Sequence, residues 1–220
     1  MPAKEINANE NNISENDLAR TESSAPANVL GTKSKIWLLF ASTVGLIAAF
    51  VLVLEKVSYW KQAASGINPT LSCNVNPIVG CGPVINLPEA SLLFGIPNPL
   101  IGVVLWSGLG AVAILLLSGL ALKGWHWWGL QLGAIFGILL VSFLQFESIF
   151  EHHVLCPWCM VTWAVMIPTF WLITAKHLEW RKHSWSISKI VYGYLPMFIL
   201  LHFSILISLI FIKFGLTMFQ

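Results

Sequence analysis

Charge is what this 220-residue chain has least of: Asp, Glu, Lys and Arg make up 10% of it. A soluble domain carries about 25%, so there is too little charge to cover a water-facing surface of this size. That shortage excludes an ordinary soluble enzyme. The net charge is only +2, which removes the electrostatic basis for a nucleic-acid partner. Five of the ten acidic residues (Glu5, Glu10, Glu15, Asp17 and Glu22) lie in the first 34 positions. Those positions hold no aromatic residue. They cannot bury enough apolar surface to offset their ordering entropy, so residues 1–34 are expected to be a disordered tail.

The rest is apolar in long runs. An uncharged run of about 18 residues or more reads as a membrane-spanning helix. Five occur, at 36–54, 100–122, 129–150, 156–175 and 190–212, with Glu147 near the end of the third. Backbone groups in lipid must bond internally, and runs of this length without two-residue alternation favour helices over barrel strands. The expected fold class is an all-α membrane protein with five transmembrane helices. The first run has 19 residues, more than the roughly 7–15 of a secretory signal core, so it reads as an uncleaved anchor.

Lysine and arginine in the flanks set the orientation. With the N-terminus inside, nine basic residues are cytoplasmic (Lys4, Arg20, Lys33, Lys35, Lys123, Lys176, Arg181, Lys182 and Lys189). Three (Lys56, Lys61 and Lys213) are outside. The 55–99 loop, the 151–155 turn and the C-terminus then lie on the outer face. Six of the eleven prolines fall between Pro69 and Pro99, so the outer loop makes turns rather than long helices. A loop of this length is usually functional. Its apolar pieces are expected to pack over the helix ends, with a short helix near 88–94 opened by Pro88.

All four cysteines lie on the outer side: Cys73 and Cys81 in the loop, Cys156 and Cys159 in Cys156-Pro157-Trp158-Cys159 at the start of the fourth span. Pro157 suits a first helical position, which makes Cys156 the N-cap. The partial positive charge of a helix N-terminus favours a thiolate there. Two pairs on one face point to an electron relay. Two static disulfides would also use four cysteines, but a C-x-x-C bond closes too small a loop to be a useful staple. A zinc site from His152, His153, Cys156 and Cys159 has no standard ligand spacing, and no metal is expected. His202 lies in the fifth span, where it either serves function or bonds within the bundle.

These residues resemble the bacterial branch of the vitamin K epoxide reductase family. The resemblance rests on three blocks: Ser72-Cys73-Asn74-Val75-Asn76-Pro77 with Cys81, then Phe94-Gly95-Ile96-Pro97-Asn98-Pro99, then Cys156-Pro157-Trp158-Cys159-Met160-Val161-Thr162-Trp163. It covers residues 36–175, within a VKOR-like membrane domain at 35–220, and it matches the form without a fused thioredoxin-like domain. It implies a four-helix bundle around a quinone (ubiquinone or menaquinone) plus one additional helix. It also implies that Cys73 meets a separate periplasmic thioredoxin-fold (DsbA-like) protein. Cys81 then bonds transiently to Cys156, and Cys159 faces the quinone. Asn98, Thr162 and Trp163 fall at positions that contact it. Trp163 stands where many members have Tyr, and an indole N–H donates but does not accept. Gly82 stands where relatives often carry Ser or Thr.

The resemblance therefore implies a thiol oxidase of the bacterial inner membrane that reduces quinone and supports disulfide formation. Trp106, Phe143, Phe146 and Trp163 are candidate walls for the ring. Vitamin K epoxide reduction is the alternative within the family. Outside it, a transporter using Gln131, Gln145, Glu147 and His202 would work without cysteines. A structural protein would hold its disulfides through exposure to a reduced partner.

Overall fold

The structure, a computed structural model, describes residues 30–76, 78–85, 87–91, 95–120, 122, 124–181 and 193–215. Of the tail expected at 1–34, residues 1–29 lie outside the described residues, as do Lys123, Lys182, Lys189 and Phe94; its end is ordered instead, with Leu30 buried and a helix beginning at Thr32. Helix α1 runs Thr32–Ala64, α2 is the short Gly82–Ile85, and α3 is Asn98–Leu117. Helix α4 is Gly124–Phe146, α5 is Pro157–Arg181 and α6 is Leu195–Phe214. A 3₁₀ turn, Pro88–Ser91, sits between α2 and α3, and a π turn, Glu147–Glu151, extends α4. Five of these helices are long and apolar enough to cross a membrane. The chain is an all-helical, multi-pass membrane protein.

The first helix differs from expectation. The apolar run ends at Leu54, yet the helix continues to Ala64. Charge marks where lipid ends, not where helix ends. The stretch 55–64 has no Gly or Pro, and the helix stops only before Gly66, which takes a left-handed φ of 71°. At 1.5 Å per residue its 33 residues span about 50 Å, against a hydrocarbon core of about 30 Å. Its C-terminal end therefore projects beneath and beside the cysteine loop. The expected short helix at 88–94 is a single 3₁₀ turn in its described part.

Small residues set the packing between α1 and α3. A side chain at Gly45 would meet the Trp106 ring at 2.3 Å, one at Gly102 would meet Ala49 at 3.2 Å, and one at Gly110 would meet Ser42 at 3.2 Å. Close approach through small residues supplies van der Waals contact where lipid offers no hydrophobic drive. Helix α5 packs against both α1 and α4, and α6 packs on the outside of α5. Helices α3 and α4 scarcely touch each other, so the four-helix bundle keeps a gap between them. Most of α6 faces outward, and only Leu206 and Phe214 are buried.

Candidate functional site: cysteine pairs above an apolar cavity

The loop is built by short-range turns. Asn76 Oδ1 accepts from the backbone N–H groups of Ile78 at 2.9 Å and Val79 at 2.7 Å, the self-bonding that suits Asn to turns. The chain then meets the segment leading into α5. Leu155 N–H donates to Ile78 O at 2.8 Å, and Gly80 N–H donates to Leu155 O at 3.0 Å. This isolated parallel bridge, Val79 to Leu155, sets Cys81 beside Cys156. Cys73 and Cys81 form a disulfide, while Cys156 and Cys159 are thiols. The Cys156 and Cys81 sulfurs are 3.3 Å apart. Cys73, Cys81 and Cys156 share one buried cluster with Leu52, Leu71 and Ile85.

Asn74 explains the glycine at 82. Its Oδ1 accepts from Gly82 N–H at 2.9 Å. A side chain at Gly82 would meet its Nδ2 at 2.9 Å, and one at Gly80 would meet its Oδ1 at 2.8 Å. The amide of Asn74 thus fills the space that a Ser or Thr at 82 would need, and it steadies the loop itself.

Cys156 precedes α5, and its carbonyl accepts from Met160 N–H at 3.0 Å, the geometry of the expected N-cap. Its thiol is pulled below the ordinary thiol range, chiefly by a hydrogen bond from the Cys159 side chain, with burial acting in the opposite direction. A depressed pKa makes a better nucleophile at neutral pH and a better leaving group.

Beneath the sulfurs lies a cavity of about 600 Å³. Cys81, Cys156 and Cys159 line its upper end, and Leu122, Trp125 and His126 line its far end. Asn98, Thr162, Trp163 and Trp106 all face it. Asn98 is buried, and its Nδ2 donates to Glu89 O at 2.6 Å, so this side chain ties the 3₁₀ turn to the cavity wall. Thr162 Oγ1 donates to Cys159 O at 2.6 Å, which commits the hydroxyl proton to its own helix.

Phe143 and Phe146 do not wall the cavity. They are 41% and 51% exposed on the lipid side of α4. The cavity face of that helix is carried instead by Gly133, Gly137, Val141 and Leu144, three to four residues apart. Among the described residues, the His/Cys/Asp/Glu group with mutually close ligand atoms is Glu89, Glu147 and His152, which contains no cysteine. His152 Nε2 lies 3.7 Å from a carboxylate oxygen of each. His202 is half-buried on α6 and does not line the cavity.

The sequence reading passed over Asn74, Glu55 and Lys56 as parts of the site. Asn74 stood in the quoted loop block. Glu55 and Lys56 are an adjacent pair of charges directly after an apolar run, with no helix breaker behind them. That was the available signal.

A multi-pass bundle that sets a disulfide against a reduced thiol, above an apolar cavity, defines a membrane thiol–disulfide oxidoreductase. Residues 36–174 match the model of the Vitamin K epoxide reductase family, and the chain belongs to that family. It is accordingly a thiol/quinone oxidoreductase. No curated protein and no solved structure matches the chain. The site's residues fit a quinone. The cavity has the volume of a small-molecule site and apolar walls with few polar groups, and two indoles and one amide stand near the thiols.

Proposed function

We propose that this protein is a bacterial inner-membrane thiol oxidase that oxidises a periplasmic thioredoxin-fold protein. The observation that carries the proposal is the 3.3 Å approach of Cys81 and Cys156, a distance at which reacting atoms are already near attack. The basic-residue asymmetry supports an outer location for all four cysteines.

In the proposed sequence, a reduced partner thiolate attacks Cys73 and breaks the Cys73–Cys81 bond. A second partner thiol resolves the mixed disulfide, so the partner leaves oxidised and the loop becomes a dithiol. With Cys156 and Cys159 joined, the Cys81 thiolate attacks Cys156, and Cys159 leaves as thiolate. Cys73 then attacks Cys81, which restores the loop disulfide and frees Cys156. The state seen here, a closed loop above two thiols, is the product of that exchange. A quinone bound below supplies an acceptor for two electrons and two protons. Asn98, Trp106, Thr162 and Trp163 would hold it, and Cys159 is the thiol that faces it.

The test is oxidation of a reduced thioredoxin-fold dithiol by purified protein with ubiquinone or menaquinone. Oxidation should require quinone and fail when any one of the four cysteines becomes serine. Full activity in a cysteine-free variant would overturn the proposal, and so would a loop disulfide that persists through incubation with reduced partner.

A further inference from the structure

Two adjacent residues at the outer end of α1 are charged and buried: Glu55 is 9% exposed and Lys56 is 6% exposed. Burying an ammonium or carboxylate is costly unless it is paired or hydrogen-bonded, and both groups are spent on the cysteine loop. The Glu55 carboxylate accepts from Ser72 Oγ, one residue before Cys73. Lys56 Nζ donates to Ile85 O at 2.9 Å and to Ser91 Oγ at 3.3 Å. Ile85 ends α2, whose first turn bonds back to Cys81: Val84 and Ile85 N–H groups donate to Cys81 O at 3.1 and 2.9 Å. One turn of helix therefore grips the loop on both flanks of its disulfide.

The two grips differ in kind. The lysine side is internal. Cys81 and Ile85 are 1% and 5% exposed, Lys56 has two acceptors, and its ammonium also lies 5.4 Å from the centre of the Trp60 ring. The glutamate side reaches solvent. Ser72 is exposed, and a single hydroxyl makes the contact. Cys73, the next residue, is only 7% exposed, so its sulfur is largely closed to an incoming thiolate in this loop conformation.

We propose that Glu55 and Lys56 are positioning residues with opposite duties. Lys56 is a fixed anchor that keeps Cys81 against Cys156. Glu55 is a latch on Ser72 that covers Cys73 until a partner thiol displaces it. This division rests on the reading that Cys73 meets the partner and Cys81 passes electrons to Cys156.

Two readouts separate the duties. The first uses the Cys159→Ser protein. There the Cys156 thiolate attacks Cys81, a Cys81–Cys156 bond forms, the Cys73–Cys81 bond breaks, and Cys73 leaves as a thiol with no net redox change. Peptide mass spectrometry after non-reducing digestion gives the ratio of the two disulfides. In this background Lys56→Gln should lower the ratio of cross-linked to loop disulfide about tenfold or more, the loss expected for a hydrogen bond from a charged donor. Ser72→Ala should not lower it. Ser91→Ala removes one acceptor and leaves the buried cation in place; it should lower the ratio about two- to threefold, which keeps the test open if Lys56→Gln does not fold.

The second readout is the rate at which dithiothreitol reduces the loop disulfide in the four-cysteine protein. Ser72→Ala should raise it about two- to tenfold, and Ser91→Ala should leave it within twofold. A structural defect would move both readouts together in every variant, and that result overturns the proposal. An unchanged cross-link ratio in Lys56→Gln and Ser91→Ala overturns the anchor, and a reduction rate unchanged or lowered by Ser72→Ala overturns the latch. Failure of the Cys159→Ser parent to form any Cys81–Cys156 bond rejects the relay order and the anchor with it, while the reduction rates still decide the latch.

Discussion

Replacing Gly82 by Ala should make the loop disulfide easier to reduce. Gly82 has no left-handed φ, so the cost is steric rather than conformational. The new Cβ would lie 2.9 Å from Asn74 Nδ2 and 3.2 Å from its Oδ1, closer than carbon and nitrogen can stand. Asn74 is exposed, so its amide is free to swing towards solvent. The amide must rotate out, and the Oδ1 bond to Gly82 N–H at 2.9 Å is lost. A net hydrogen bond is worth about 0.5–1.5 kcal/mol. For a two-electron couple 1.4 kcal/mol corresponds to about 30 mV, so the potential of the Cys73–Cys81 pair should rise by about 10–30 mV. Equilibration in glutathione buffers, with alkylated thiols counted by mass, reads that shift. Asn74→Ala removes the same bond without a clash. The double variant should therefore be no easier to reduce than Asn74→Ala alone, and the double-mutant cycle cancels the generic effect of adding a methyl group. An unchanged potential in Gly82→Ala, or additive shifts in the double variant, would refute the reasoning.

A membrane-impermeant thiol reagent should label Cys73, the thiol proposed to meet the partner, in intact cells whose loop disulfide has been reduced; labelling only after the inner membrane is opened would reverse the proposed orientation. Asn98→Ala should raise the quinone concentration needed for half-maximal rate by about 2- to 13-fold, the equivalent of one hydrogen bond, with little change in thiol exchange with the partner. Cys159→Ala should move the pH midpoint of Cys156 alkylation upward, measured with the loop disulfide reduced. The hydrogen bond holding that thiol below its ordinary range is then gone, and less thiolate is present at any given pH. Gly45→Ala should lower the thermal midpoint in detergent, since overpacking costs about 1–3 kcal/mol and the added methyl would meet the Trp106 ring at 2.3 Å.

The spans were legible because the absence of charge is a first-order effect: nothing else in the chain competes with it over some twenty residues. The helix phases were only partly legible. Helix α4 has two polar marks in its apolar stretch, Gln131 and Gln145, both buried, as polar side chains within a membrane span tend to be, but no comparable mark sorts its aromatic residues. Aromatic size pointed to Phe143 and Phe146, but in lipid small residues decide close packing. Gly137 faces Met166, which a side chain there would meet at 2.6 Å, and that contact turns the phenylalanines outward. The cysteine pairing followed from the family resemblance, while its physical cause lies in long-range contacts. The bridge from Val79 to Leu155 joins segments 76 residues apart, and no local pattern announces it. Glu55 and Lys56 read in sequence only as charges beyond an apolar run, because the end of such a run does not tell where its helix ends.

The walls and the roof of the site are held by different forces, and the difference matches what each must do. Below the sulfurs, α1 and α3 interlock through Gly45, Trp106, Gly102 and Ala49, so any change in spacing disturbs many contacts at once. Above them, besides the small buried cluster around Leu52, Leu71 and Ile85, the loop is held by one two-bond bridge, the Asn74 and Asn76 amides, one hydrogen bond to Glu55, two from Lys56 and one from Asn98. The neutral bonds contribute about 0.5–1.5 kcal/mol each and those to the charged groups about 1.5–3 kcal/mol, and the exposed ones can be exchanged for bonds with water. A loop assembled this way can lift Cys73 at the cost of a few bonds while the cavity keeps its shape. Uncovering the buried Cys73 sulfur gives up its contacts in the small cluster with Leu52, Leu71 and Ile85, but it leaves untouched the α1–α3 interlock that shapes the cavity.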